Sequence, residues 1–373
     1  MNVLIAPDKF KGTLTAREVC DAIEAGLRAS NPSASISKFP LADGGEGTLD
    51  VLLAHHHGTR IEMEVNNPVF KKIKATYGLS ADRKTAFIEM AQASGLALVN
   101  ENQRRILNSS TYGTGQLIRD AIDRGVKKIV LGIGGSATND AALGAAQALG
   151  FRFLGARKEI ITPVGKNLSL VKSIDSSDVH PQLRKVSIIA ICDVTNPFYG
   201  ATGAAHVYAP QKGATEQEIA LLEKGLQNIA MVFQQHYKID LQTVPGAGAG
   251  GGFAGGAKIL FNASLQSGIE TLFDFTGFEQ AVKKADVVIT GEGKIDGQTL
   301  DGKLITGMAR LVKKYKKKFL GIVGQSELTD AQAKSLGFER VYTLFSFAES
   351  ESKAKAEAKN VLEELCKTIL LTS

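Results

Sequence analysis

Cysteine is scarce in this chain of 373 residues: Cys20, Cys192 and Cys366 lie far apart, in no CxxC or CxxH arrangement. An odd and dispersed set argues against a disulfide scaffold and fits a reducing compartment. No stretch approaches 18 uninterrupted apolar residues, so no ordinary transmembrane helix is expected. The apolar run at the N-terminus is short and meets charge at once, too brief for a signal peptide. GxSxG is missing and no Cys/His pair is arranged for attack, which leaves acyl-enzyme chemistry without a nucleophile. His55, His56 and His57 cannot all face one ion from a regular element and read as a surface tract. A soluble, cytoplasmic protein is expected.

What is present is ordinary in bulk. Hydrophobic residues make up 44% and charged residues 22%, a globular composition, and the length favours two domains. The net charge of +6 is modest and scattered. Its densest basic run, 313–318, falls at an expected helix end and reads as a solvated face. Small anionic molecules suit this balance better than nucleic acid or a membrane. The oligomeric state stays open, a homo-oligomer included.

Periodicity gives the organisation. Residues 3–6 form a buried-strand run, 7–13 a loop, and Thr15 with Glu18 a capping box that opens a helix. A strand over 35–39 follows. Strands are then expected at 61–65, 73–79 and 86–90 without long helices between them, a change of texture. A helix at 117–122, a strand at 128–132, a helix at 139–149 and a strand at 186–192 come next. Thr215 with Glu218 caps a long helix. The tail alternates regularly: helix 278–284, strand 287–290, helix 303–314, strand 319–323, helix 330–336, strand 341–345 and a final helix 349–371. The two ends share one texture. The expected architecture is a doubly wound α/β domain built from 1–48 and 257–373, with 49–256 inserted as a second α/β domain.

In open α/β sheets, ligands gather at the carboxyl ends of strands. Five polar clusters fall at such ends: Asp8-Lys9-Phe10-Lys11-Gly12-Thr13, Asp43-Gly44-Gly45-Glu46-Gly47-Thr48, Gly134-Gly135-Ser136-Ala137-Thr138-Asn139-Asp140, Asp193-Val194-Thr195-Asn196-Pro197, and Gly291-Glu292-Gly293-Lys294-Ile295-Asp296. One alone would be a turn rich in Gly and Asp for conformational reasons. Five together favour a shared site. The turn at 134–140 suits an anion, because glycines let backbone amides approach a phosphate. A plain strand-to-helix turn capped by Asn139 is the competing reading. The GxGxxG spacing within 246–252 lacks a preceding strand, so a dinucleotide site is rejected. Residues 297–304 nearly match GxxxxGK[ST], but Leu304 replaces the magnesium-binding hydroxyl, while Lys303 remains a candidate phosphate contact. Anion cradles, lysines and carboxylates are together what phosphoryl transfer requires.

With Pro210-Gln211-Lys212-Gly213-Ala214 and the stretch from Gly291 to Lys303, these ordered motifs resemble the type I glycerate kinase family, from the first strand to about residue 345. The resemblance implies a flavodoxin-like domain with a second, restriction-enzyme-like α/β domain. It also implies Mg²⁺-dependent phosphoryl transfer from ATP to D-glycerate, giving the 2-phosphate or the 3-phosphate. Ala141-Ala142 departs from the family's usual glycines, which touches the helix start. Leu304-Ile305 departs from its usual proline.

The expected roles are as follows. Lys9, Lys11, Asp43, Glu46 and Asn196 meet glycerate, with Asp8 and Lys11 also in the catalytic group. Asp193, then Asp296, serves as base or metal ligand. Gly134, Gly135, Ser136, Asn139, Gly291, Glu292 and Lys303 meet the nucleotide. A kinase for another small hydroxy acid or sugar acid is the nearest rival. A non-catalytic sensor of a phosphorylated metabolite is the second, and carboxylates beside the glycine loops argue against it.

Overall fold

The computed structural model describes residues 1–42, 48–100, 105–295, 303–348 and 350–371. The chain divides into two compact units, one formed by Met1–Leu52 with Ile269–Ser373 and the other by Leu53–Gly268.

The first unit holds five parallel strands in the order Arg340–Thr343, Lys318–Val323, Val287–Thr290, Asn2–Ile5, Ser35–Lys38. Numbered along the chain this is 2-1-3-4-5, the flavodoxin-like doubly wound order. The three central strands are short apolar runs because both sheet faces are covered there, while the edge strands Ser35–Lys38 and Arg340–Thr343 are more exposed. Val3, Ile5, Val287, Ile289, Leu320 and Ile322 pack with Val19, Ile23 and Leu27 of helix Ala16–Ser30 and with Val361, Leu362 and Leu365 of helix Ala358–Lys367. The two helices touch so closely that a Cβ on Gly26 would lie 2.3 Å from the Glu363 carbonyl oxygen, so only glycine fits there. Thr15 caps the first of them: Glu18 N–H donates to Thr15 Oγ1 at 3.3 Å and Thr15 N–H to Glu18 Oε2 at 2.9 Å.

The middle unit has a six-stranded sheet ordered Ser264–Gln266, Ser187–Ile191, Lys128–Gly132, Thr85–Glu89, Lys72–Leu79, Thr59–Asn66. The first four are parallel and the last two join as antiparallel neighbours. The expected capping box at Thr215 opens helix Glu216–Tyr237, whose Leu222, Leu226, Ile229 and Phe233 are buried in this unit's core.

Three expectations shift. Strand Ser264–Gln266 pairs with Ser187–Ile191, so residues 257–268 belong with the middle unit and not with the outer one. The helix expected over 139–149 is confined to Leu143–Ala148, because Ala141 and Ala142 are both left-handed, at φ 54° and 63°. The final helix is broken at Glu357 into Glu351–Ala356 and Ala358–Lys367. Among the described residues no helix is long and apolar enough to cross a membrane.

Candidate functional site

In the first unit, strands Asn2–Ile5 and Val287–Thr290 are neighbours whose connections run to opposite sheet faces, which opens a crevice at their carboxyl ends. Two polar loops line it. Asp8 N–H donates to the Gly291 carbonyl at 2.8 Å, which ties the loops together. The Asp8 side chain is 7% exposed and its Oδ1 accepts from Lys9 N–H at 2.6 Å. Buried Phe10 anchors the loop by donating to the Leu14 carbonyl at 2.8 Å, leaving Lys11 exposed and Lys9 half-buried. A Cβ on Gly291 would fall 2.2 Å from the Ile322 carbonyl oxygen, and one on Gly293 would fall 3.2 Å from Lys11 N. The glycines therefore permit this close approach, and the half-buried Glu292 sits between them. Asp8, Lys9, Lys11, Gly291 and Glu292 thus share one crevice. Asp43, Glu46 and Asp296, with the near-match at 297–302, lie outside the described residues; helix Lys303–Lys314 starts at Lys303.

In the middle unit, the turn after strand Lys128–Gly132 is fixed along its length. Leu96 N–H donates to Gly135 O at 2.8 Å and Ala137 N–H to Ser94 O at 2.9 Å. Gly135 has φ +68°. Among the described residues, no protein acceptor takes the amide hydrogens of Gly134, Gly135 or Ser136, and both glycines are exposed. Successive unoccupied amides at a glycine turn make an anion-binding concavity. The helix that follows does not add to it, since Asn139 is no cap and two left-handed alanines intervene.

Under this turn lies a residue to which the sequence reading gave no role. Lys212 is 3% exposed, and its ammonium donates to Ser136 Oγ at 2.8 Å and to Thr138 O at 2.7 Å. Burial pushes its pKa down to about 7, opposed by the charge of Asp140. Asp140 is wholly buried, and its Oδ2 accepts from Thr111 N–H at 2.7 Å, Thr111 Oγ1 at 2.8 Å and Gly144 N–H at 3.2 Å. Burial lifts its pKa to about 6 in spite of those donors. Thr138 Oγ1, both side-chain polar atoms of Asn139 and Asp140 Oδ1 are buried with no hydrogen-bond partner among the described residues. Asn139 therefore sits inside the turn's base and is not placed on its exposed rim. The only sequence signal for Lys212 was its motif, a lysine set among apolar and glycine residues.

The neighbouring loop carries Asp193, half-exposed, whose Oδ1 accepts from Gly268 N–H at 3.0 Å. Asn196 is engaged at both ends of its amide: Nδ2 donates to Thr202 O at 2.9 Å and Oδ1 accepts from Tyr208 O–H at 2.6 Å. That arrangement holds the 196–208 loop. The glycine stretch 246–252 packs against both loops. A Cβ on Gly248 would fall 2.2 Å from Pro197 O, and one on Gly251, at φ +72°, would fall 2.1 Å from Thr138 O. Its glycines serve backbone packing, and a 3₁₀ turn at Leu241–Thr243 precedes them where a dinucleotide fingerprint has a strand. His55 ends helix Thr48–His55, and among the described residues no group of three or more potential ligands could hold a metal ion.

Sequence comparison now bears on these loops. A profile described as the glycerate kinase family matches residues 3–372. The chain is 42% identical over 371 residues to a glycerate kinase of Halalkalibacterium halodurans, covering 100% of this chain and 98% of that one. It is 43% identical over 330 residues to glycerate 2-kinase of Escherichia coli K12, covering 88% and 86%. A crystal structure described as that of a candidate glycerate kinase 2 from Salmonella typhimurium LT2 superposes with a TM-score of 0.88 at 40% identity, over 99% of this chain and 96% of that one. The chain belongs to the glycerate kinase family of enzymes.

Proposed function

We propose that the protein transfers the γ-phosphoryl group of ATP to D-glycerate, giving 2-phosphoglycerate, in organic acid breakdown in the cytoplasm. The observation that carries this reading is the turn at 134–136, whose three amides have no protein acceptor among the described residues and whose Ser136 hydroxyl is held by the buried Lys212. Such a turn suits the oxygens of a triphosphate. The names of the relatives in Halalkalibacterium halodurans and Escherichia coli support glycerate as the acceptor, and the latter supports the 2-hydroxyl.

In this reading Lys9 and Lys11 bind the glycerate carboxylate in the crevice that also holds Asp8. The glycerate hydroxyl oxygen attacks the γ-phosphorus, the bond from that phosphorus to the β,γ-bridging oxygen breaks, and ADP leaves. A carboxylate takes the hydroxyl proton. Asp193 is the first candidate for that base or for a magnesium ligand, and Asp296 the second. Mg²⁺ travels with ATP and needs only one or two carboxylates beside phosphates and water, a demand that the half-exposed Asp193 fits. The ion would neutralise developing phosphate charge. Gly291, Glu292 and Lys303 are further candidates for contacts to the nucleotide. Asn196 is a further candidate for glycerate: its bonds to Thr202 and Tyr208 hold it in place and leave one N–H and one oxygen lone pair for the substrate.

A panel of small hydroxy acids and sugar acids with coupled ADP detection tests the reading. ADP formation should be fastest with D-glycerate. Faster turnover of another acid would transfer the reading to that substrate, and ATP binding without any ADP would leave a sensor.

A further inference from the structure

A lysine that is 97% enclosed is costly to bury, and an apolar side chain of similar size would fill the space beneath the turn more cheaply. Its use calls for a reason that charge or donors supply. The ammonium has three donors; two reach Ser136 Oγ and Thr138 O, which lie two residues apart on the turn whose amides at 134–136 have no protein acceptor among the described residues. Two bonds from one rigidly held centre fix the separation and direction of that backbone. The other end of the same turn is fixed by Asp140, bound to Thr111 and to Gly144 N–H. Side-chain polar atoms of Thr138, Asn139 and Asp140 remain buried and unpartnered among the described residues, so this part of the fold is held open to polar company instead of being filled with hydrocarbon. The cavity that Lys212 lines, with Arg105, Ser109 and Ala137, has a volume of about 10 Å³, room for no more than one water. Lys212 therefore acts through the turn and does not touch a ligand itself.

We propose that Lys212 is a positioning residue for ATP: through its bonds to Ser136 Oγ and Thr138 O it holds the backbone at 134–138 in the shape that presents amides to phosphate oxygens. The proposal rests on the kinase reading above. It gives the Pro210–Ala214 motif a task within the same site.

The test uses Lys212→Met and Ser136→Ala in the full chain, with KM for ATP, KM for glycerate, kcat and thermal melting measured for each. Hydrogen bonds from a charged donor suggest a rise in KM for ATP of about tenfold to a hundredfold in Lys212→Met. KM for glycerate should stay within about twofold, a split that general loosening of the fold would not produce. Ser136→Ala should raise KM for ATP by a few-fold alone and add little in the Lys212→Met background, since both changes break one contact. A folded Lys212→Met enzyme with normal KM for ATP overturns the proposal, as does an additive double variant. Should Lys212→Met fail to fold, Ser136→Ala with unchanged KM for ATP overturns it. Should the unaltered protein form no ADP from ATP and any acid, the kinase reading fails by itself. Hydrogen exchange of the Ala137 amide, which donates to Ser94 O, then decides the positioning role: faster exchange in Ser136→Ala and Lys212→Met upholds it, and unchanged exchange overturns it.

Discussion

Asp140 anchors the far end of the turn after strand Lys128–Gly132, and its hydrogen bonds and raised pKa give the size and the pH dependence of removing it. In Asp140→Ala two amides and a hydroxyl, those of Thr111 and Gly144, lose a buried acceptor. Each such group costs about 1–3 kcal/mol. Against this, alanine removes a charge that burial disfavours: the pKa stands at about 6 where an ordinary aspartate has 3.8. A displacement of that size is worth about 3 kcal/mol at neutral pH. The raised pKa means that Asp140 contributes stability below its unfolded value and loses it as pH rises through about 6. The alanine variant should therefore lose about 2 kcal/mol more near pH 4 than near pH 7, with a net loss of about 0–6 kcal/mol at the higher pH, three lost bonds less the charge relieved. Asp140→Asn keeps an oxygen facing Thr111 and carries no charge, so its cost should be smaller and its stability should not follow that slope. Urea unfolding read by hydrogen exchange in peptides from helix Tyr112–Asp123 follows the middle unit separately from the other. Alanine and asparagine variants that both lie within about 0.5 kcal/mol of the unaltered protein at either pH would refute the argument.

Two further expectations follow from the same region. Ala142 is left-handed, a conformation costing an alanine about 1–2 kcal/mol, whereas glycine's extra chain entropy costs about 0.5–1 kcal/mol. Ala142→Gly should thus raise the urea midpoint by a gain of up to about 1 kcal/mol, and a loss of that size would contradict the strain argument. Asp193→Asn retains an oxygen for Gly268 N–H and should melt normally, while kcat falls by about a hundredfold or more if the carboxylate is the base. Near-normal turnover would remove Asp193 from the mechanism.

Local signals made much of the fold legible. Runs such as 287–290 and 128–132 are buried on both faces, so they read as parallel strands without help from alternation. Thr15–Glu18 and Thr215–Glu218 announce helix starts because the cap is built from residues three apart, and both boxes form. Long-range effects were the ones that escaped. The helix near Leu143 starts late because Asp140 is drawn to Thr111, distant in sequence, and the chain must turn through two left-handed alanines. Strand Ser264–Gln266 is too short and too exposed to show a period, and only its pairing with Ser187–Ile191 assigns it to the middle unit. Within the site, the Asp8 loop and the Gly291 loop could be named from their glycines and charges, and the crevice follows from strand order. Lys212 could not, because a lysine's burial is a property of everything packed around it. Asn196 shows a second such effect: its amide also holds the loop, through Thr202 and Tyr208, which its sequence position did not reveal.

The most direct check on the kinase reading is phosphorus NMR of a reaction containing the protein, ATP, Mg²⁺ and D-glycerate. The γ-phosphate signal should fall in step with ADP formation, and one new phosphomonoester resonance should match authentic 2-phosphoglycerate. A spectrum in which glycerate leaves ATP intact, or in which ATP yields only inorganic phosphate, would contradict it.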